Sequence, residues 1–216
     1  MADRSTLKTY FETGDKPTEE QFAELVDSLY SLADDTSDNL NQGSTKLFLT
    51  AAERAKIAAF SQFGFMDYND TTGAVSLVAD TWTDVPNNGA GAFTNKTYKP
   101  ESVTEIIDTT TGYLDFSDLT LGSEILVRND FAVTPNTNNS LLEVRYLLGT
   151  GAGEYALNFW AERLDNGSGI PYQRVVSFPI YMGDVNTQGG PGKLQVRLST
   201  PGSITNAGSY ISIRVQ

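Results

Sequence analysis

Lys193-Leu194-Gln195-Val196-Arg197-Leu198 alternates polar and apolar side chains without a break. A period of two puts all the apolar side chains on one face of an extended strand and all the polar ones on the other. The same period recurs on both sides of this stretch. Ile125, Val127, Phe131 and Val133 share one phase of a long strand, and Leu142, Val144, Tyr146 and Leu148 form another. Tyr155, Leu157 and Phe159 give a third phase; Tyr172, Val176, Phe178 and Ile180 give a fourth, interrupted by Arg174. Ile211, Ile213 and Val215 form a further run. Turn-forming clusters separate the runs: residues 135–139, 149–153, 165–169 (with Asn166-Gly167 as a hairpin signal), 188–192 and 201–202. With weaker strands near 75–78 and 105–107, about eight strands are expected, the pattern of a β-sandwich or jelly roll. In a jelly roll the last of these strands can sit centrally, so truncation there is expected to be costly.

Residues 1–60 follow a helical grammar. Thr18-Glu19-Glu20-Gln21 is a capping box, in which the Thr18 hydroxyl accepts from the Gln21 amide while the Gln21 side chain reaches back. Glu19 and Glu20 then lie at the positive end of the helix dipole. Phe22, Leu25, Val26, Leu29 and Leu32 follow as one apolar stripe. A second box, Thr50-Ala51-Ala52-Glu53, opens a short helix carrying Ile57 and Phe60. Between the helices, residues 38–49 read as an extended connector ending in Leu47 and Phe48. Helices this short are marginal alone. Phe22, Leu25, Val26 and Leu29, with Leu47 and Phe48, are therefore the expected surface for self-association or anchoring. The organisation is thus a helical anchoring stalk over 1–60, a Gly-, Asp- and Asn-rich linker over 61–73 and a β head over 74–216. The fold class is mainly β.

Leu141-Leu142, Leu147-Leu148 and Phe159-Trp160 put large apolar side chains in both phases of their strands. A sheet with one wet face should alternate more cleanly. Such positions read either as strand ends covered by loops or as a subunit interface, and small jelly rolls often close a threefold axis with the outer face of one sheet.

Composition removes most chemistry. The chain has no His and no Cys, so an imidazole base, a Ser-His-Asp triad, a thiolate nucleophile, a disulfide and His- or Cys-ligated metals are excluded. A net charge of −12 argues against nucleic acid or anionic membrane as a partner. No apolar run reaches the length of a membrane helix, and Met1–Ser5 lacks the apolar core of a signal peptide, so a soluble protein outside the general secretory route is expected. Asp115 and Asp118 are spaced as a conceivable glycosidase pair but read better as turn acids facing water. Asp67, Asn69 and Asp70 resemble a fragment of a calcium loop without its completion, so no metal is expected. Gly149, Gly151 and Gly153 precede no helix and make no phosphate cradle. No cofactor is expected. Among the aromatic residues Trp82, Tyr98, Tyr113, Trp160 and Tyr172, Trp160 reads as core. Trp82 and Tyr98, in loop-like sequence, are the candidate ligand-binding residues for a saccharide.

Residues 5–28, from Ser5-Thr6-Leu7-Lys8 through Val26-Asp27-Ser28, resemble the opening segment of tail, baseplate and head-fibre proteins of tailed bacteriophages, most closely those of Bacteroidetes-type hosts. Residues 40–50 are similar to a connector of phage fibres, Asn-x-x-Gln-Gly-Thr-x-Asn-Leu-Phe-x-Thr, with Ser44 and Lys46 in place of its Thr and Asn. Leu114-Asp115-Phe116-Ser117-Asp118-Leu119 and Gly122 look like the trimeric jelly-roll heads of such fibres, loosely akin to the tumour-necrosis-factor and C1q type. The resemblance implies a non-enzymatic homotrimer of the virion, assembled in the host cytoplasm. Its N-terminal segment would be fixed to capsid or tail proteins, with the head projecting outward; the small head without evident catalytic equipment suits a head fibre or capsid decoration. The alternative is a tail or baseplate fibre tip that binds host surface glycan through the loop aromatics Trp82 and Tyr98.

Overall fold

The alternating runs pair into two antiparallel sheets that share one apolar core. The computed structural model describes residues 4–12, 14, 16–28, 51–60, 62–165 and 168–216. It divides into two units, Met1–Lys56 and Ile57–Gln216.

In the second unit, the first sheet has the order β1 (Phe63–Asn69), β11 (Gly202–Arg214), β6 (Glu124–Pro135), β9 (Tyr172–Tyr181), with β2 (Ala74–Leu77) also on β11. The second runs β4 (Ile107–Asp108), β5 (Tyr113–Asp115), β10 (Pro191–Leu198), β7 (Ser140–Leu148), β8 (Tyr155–Leu164), with β3 (Thr83–Asp84) also on β10. From β5 onward only β7 and β8 are neighbours both in sequence and in a sheet; every other step crosses between sheets, the wiring of a jelly roll. The fold is mainly β, as the alternation requires.

The inward phases are those read from the sequence. Ile125, Val127, Phe131 and Val133 of β6 are buried, and Val176, Phe178 and Ile180 of β9 meet Leu142, Val144, Tyr146 and Leu148 of β7 in the core. Tyr146 packs edge-on against Phe178, with ring centroids 5.0 Å apart. The interruption at Arg174 has a physical reason. β8 and β9 are edge strands of opposite sheets, and the Arg174 guanidinium forks onto Glu162 of β8 with two hydrogen bonds of 2.6 Å. A charged pair thus closes the mouth of the sandwich where apolar side chains would be half wet.

The structure corrects the reading of 61–73 as a linker. Phe63–Asn69 is β1, paired with β11 from Phe63↔Arg214 to Asn69↔Gly208, and Gly64, Met66 and Tyr68 are buried. Its Gly and Asp/Asn content imitates a loop for local reasons. A Cβ on Gly64 would collide with the Tyr98 carbonyl, and Asp67 and Asn69 take the outward phase. A second difference lies in β8. The register shifts between Val144 and Arg145, which pair with Trp160 and Asn158, so a β-bulge leaves Phe159 unpaired and moves Trp160 into the phase expected for Phe159. Trp160 packs against the core.

Hydrogen bonds cross the sandwich. Tyr146 donates to Asn129 Oδ1 at 2.9 Å and Ser209 donates to the same oxygen at 3.1 Å. Asn87 Nδ2 donates to Ser209 Oγ at 3.2 Å and to the Tyr68 carbonyl at 3.3 Å. Tyr68, fully buried, donates to the Glu105 carboxylate and accepts from the Ile106 amide at 3.0 Å. Burial, and for Tyr68 the Glu105 bond as well, pushes both phenols above the usual tyrosine range near 10.

In the first unit, α1 (Arg4–Thr9) and α2 (Glu19–Ser28) are both helical. The capping box forms as expected: Gln21 N–H donates to Thr18 Oγ1 at 3.3 Å, and Thr18 N–H donates to Gln21 Oε1 at 2.8 Å. α3 (Ala51–Phe60) is the short helix expected after residue 50. Leu29, Leu32, Leu47, Phe48, Thr50 and the Asn166-Gly167 turn lie outside the described residues. No described helix is long and apolar enough to cross a membrane.

Phe178→Ala is expected to lower the unfolding free energy by about 3–5 kcal/mol in urea titration, because the surrounding core cannot collapse into the space. Stability is also expected to fall as pH rises above about 10. There the unfolded chain releases tyrosine protons that the folded chain still holds at Tyr68 and Tyr146, so deprotonation favours unfolding. Urea midpoints measured between pH 8 and pH 11 should show that fall, and Tyr146→Phe should shallow it.

Candidate functional site

The two sheets turn different chemistry outward. On the second sheet the outward phase of β7 carries Leu141, Glu143, Arg145 and Leu147, and that of β10 carries Lys193, Gln195 and Arg197. Register places Arg145 opposite Gln195 and Arg197 opposite Glu143. Arg145 Nε donates to Gln195 Oε1 at 2.8 Å, Gln195 Nε2 donates to Asp84 Oδ1 at 2.7 Å, and Tyr113 donates to Asp84 Oδ2 at 2.8 Å. Arg197 Nε donates to Glu143 Oε2 at 2.7 Å. The result is a hydrogen-bonded polar sheet face built from β3, β5, β7 and β10.

Trp82 lies across it. β3 runs antiparallel to β10, with Thr83 opposite Val196, so the preceding residue arrives beside Arg197. The Arg145 guanidinium carbon sits 4.0 Å from the indole centroid and that of Arg197 5.3 Å. The weakly hydrated, planar guanidinium suits this stacking. Next to the indole is a cleft of about 500 Å³, lined by Trp82, Glu143, Arg145, Asn158, Trp160 and Arg197, with Val144 and Ala161. The β8 bulge forms part of its floor, the kind of place where such irregularities re-aim side chains.

The two cations are not equivalent. Arg197 is paired with Glu143. Arg145 has no carboxylate within ion-pair distance among the described residues; its guanidinium is held by an amide and an indole. Burial and the charge of Arg197 push the Arg145 guanidinium down from its ordinary value, while the charges of Glu154 and Asp84 act in the opposite sense. Sequence reading singled out Trp82 but not these arginines. They are 52 positions apart and look like ordinary outward strand charges until the β7–β10 register joins them.

Tyr98 is elsewhere. It is 60% exposed and stacks on Phe65 of β1 at 5.2 Å, and Phe65 in turn lies 5.4 Å from Tyr210 of β11. It thus belongs to the outward face of the first sheet and does not share a site with Trp82. Exposed on that sheet are also Phe63, Leu126, Val175 and Tyr181. Of the both-phase pairs, Leu141 is exposed and Leu147 half-buried, and the Phe159 side chain lies outside the described residues; among the described side chains the second sheet exposes fewer large apolar residues than the first.

Phe22 and Val26 are exposed on α2 and Leu25 is half-buried. Phe22 meets the Phe11 ring edge-on at 5.7 Å, and Tyr10 donates to Glu24 at 2.6 Å. Asp115 accepts from the Ser117 amide at 2.9 Å, and Asp118 from the Thr104 and Glu105 amides at 2.6 and 3.3 Å. Asp115 therefore stabilises its own turn, and Asp118 ties the 104–105 backbone to the segment after β5. Asp70 likewise accepts from Thr72 and from the Asn88 amide, and no metal-holding cluster of acids occurs among the described residues.

No family model matches the chain, and no curated protein matches it. Among solved structures, it is similar to the Eiger TNF of S. frugiperda at 12% identity and a TM-score of 0.42, covering 71% of this chain and 93% of that one. It is also similar to the PRD1 vertex protein P5 at 18% identity and a TM-score of 0.32, covering 71% and 96%. A third similarity is to infectious bursal disease virus, Gx strain, at 10% identity and a TM-score of 0.33, covering 70% and 30%.

The two tryptophans should separate on mutation. Trp82→Ala is expected to lower stability by only about 1 kcal/mol, the scale of its cation contacts. Trp160→Ala, which leaves a gap against the core, should cost about 3 kcal/mol. Urea titration followed by circular dichroism tests the difference.

Proposed function

We propose that the chain is a non-enzymatic structural protein of a phage virion, a homotrimer whose jelly-roll head projects from the particle as a head fibre or capsid decoration. The observation that carries this reading is the outward face of the first sheet. Phe63, Tyr98, Val175 and Tyr181 are each about three-fifths exposed there and Leu126 nearly half. A folded chain rarely leaves so many large apolar side chains together in water unless another surface covers them. A second copy is the occupant that suits the face. Arg214, Glu124, Asp67 and the Arg128–Asp130 ion pair are interleaved with the apolar residues, so the surface carries both signs for a facing copy to meet. The phage setting comes from the likeness of residues 5–28 and 40–50 to phage appendage proteins, the threefold count from the likeness of residues 114–119 and Gly122 to trimeric jelly-roll heads, and the preference for the capsid from a small head without evident catalytic equipment. Phe22 and Val26, exposed on α2, would serve with Leu25, Leu29, Leu47 and Phe48 to fix the N-terminal segment to capsid or tail proteins. A trimer also multiplies weak contacts at the head through avidity.

A second reading is a tail or baseplate fibre tip that binds host surface glycan. The cleft beside Trp82 favours it, because an aromatic wall and a hydrogen-bonding floor suit the two kinds of surface a sugar ring presents.

Light scattering on the purified chain at micromolar concentration is expected to give three times the 23.5 kDa chain mass. Leu126→Asp with Tyr181→Asp should give a folded single copy. A wild-type single copy would overturn the trimer. Gold-labelled antibody on intact virions should mark the capsid, and tail labelling would favour the second reading.

A further inference from the structure

The cleft beside Trp82 combines three features. Its volume of about 500 Å³ falls in the range of small-ligand sites, roughly 300–1,000 Å³. Its lining offers donors from Arg145 and Arg197, an acceptor from Glu143, an amide from Asn158 and an aromatic wall from Trp82. It also holds, at Arg145, a cation with no carboxylate in ion-pair range among the described residues, in a chain whose acids outnumber its bases by 27 to 15. Where acids are plentiful, a guanidinium braced by an amide and an indole is a site prepared for an outside anion.

We propose that this cleft takes a carboxylate-bearing saccharide, the acid group met by Arg145 and the ring lying along the indole of Trp82. The inference rests on the second reading above, that the cleft holds glycan, and narrows it to acidic sugars. Gln195 is the positioning residue: it accepts from Arg145 Nε and is itself held by Asp84, so the remaining guanidinium nitrogens are turned to the ligand at a fixed angle. Arg197 is committed to Glu143 and supplies field rather than the contact itself. A planar fork suits a carboxylate, and such charge-assisted bonds are the strong ones. A sugar ring adds the apolar C–H face that stacks on an indole, which an acidic peptide segment lacks.

The test is an array of uronate-, sialate- and neutral-terminated oligosaccharides, each acid printed beside its neutral methyl ester, with tetraglutamate as a non-sugar anion. The wild-type chain is expected to bind at least one acid about tenfold more tightly than its ester. Arg145→Gln should bring that acid down to the level of the ester, while Trp82→Ala should remove both. Equal binding of every bound acid and its ester would overturn the anion assignment and leave glycan binding standing. Absence of binding to any sugar would overturn both readings together. An acid preference that survives in Arg145→Gln, or tetraglutamate bound as tightly as the best acid sugar, would overturn the proposal as well. The acid–ester comparison on the wild-type chain needs no variant and decides on its own.

Discussion

The constraint on which the second unit depends is that β11 must satisfy three partners. Gly202–Arg214 pairs along one edge with β6 for nearly its whole length, and along the other with β2 and then β1. One regular strand cannot follow all three registers. The register shift between Asn206 and Gly208 resolves the conflict by inserting a bulge. Gly208 has a φ of 151° there, and a Cβ would run into the Tyr68 carbonyl. The same kink turns Ser209 inward, where it joins Asn87, Asn129 and Tyr146 in the bonds that cross the core, while Asn206, already inward in phase with Ile204, accepts from the Gly208 amide at 3.1 Å. Backbone irregularity and buried polar contacts are therefore one device: the bulge turns Ser209 inward, and the Asn206 side chain bonds the backbone of the bulge. A buried network of this kind is strong when its members are paired and costly when they are not, so it specifies one register.

With the core fixed, the two outward faces are free to differ. The first sheet shows aromatic and aliphatic side chains among charges, the chemistry of a surface that another copy can cover. The second shows an amide–guanidinium–carboxylate lattice under a tryptophan, the face proposed above to take a small polar ligand. These uses do not compete, since they lie on opposite sides of the sandwich. An assembly formed through the first sheet would leave the cleft on the second open and repeat it once per chain.

Much of the architecture was legible because alternation reports burial directly. The phases of β6, β7, β9, β10 and β11 were readable from their apolar residues, and the Thr18–Gln21 box from four adjacent positions. Even Arg174, which broke a phase, marked a real feature, the ion pair with Glu162 between the two sheets. The misreadings share a cause. β1 looked like a linker because Gly64 yields to the Tyr98 carbonyl and Asp67 and Asn69 face outward, and nothing near 63–69 in the sequence indicates that β11 waits on one side. Trp82 and Tyr98 looked alike as loop aromatics, yet they lie on different sheets. The unpaired character of Arg145 was invisible, because the amide and indole that occupy it are 50 and 63 positions away.

The amino-acid sequence by itself determined which side chains of β6, β7, β9, β10 and β11 are dry, where α2 and α3 begin, and which chemistry is impossible in a chain without His or Cys. Each of these follows from interactions within a few residues or from composition alone. Only the tertiary structure decided which strand lies beside which, where the bulges fall, and which outward residues meet to make an assembly face or a cleft. Those outcomes depend on pairing between segments far apart in the chain, and a strand's own period of two says which face is buried but not what lies across from it.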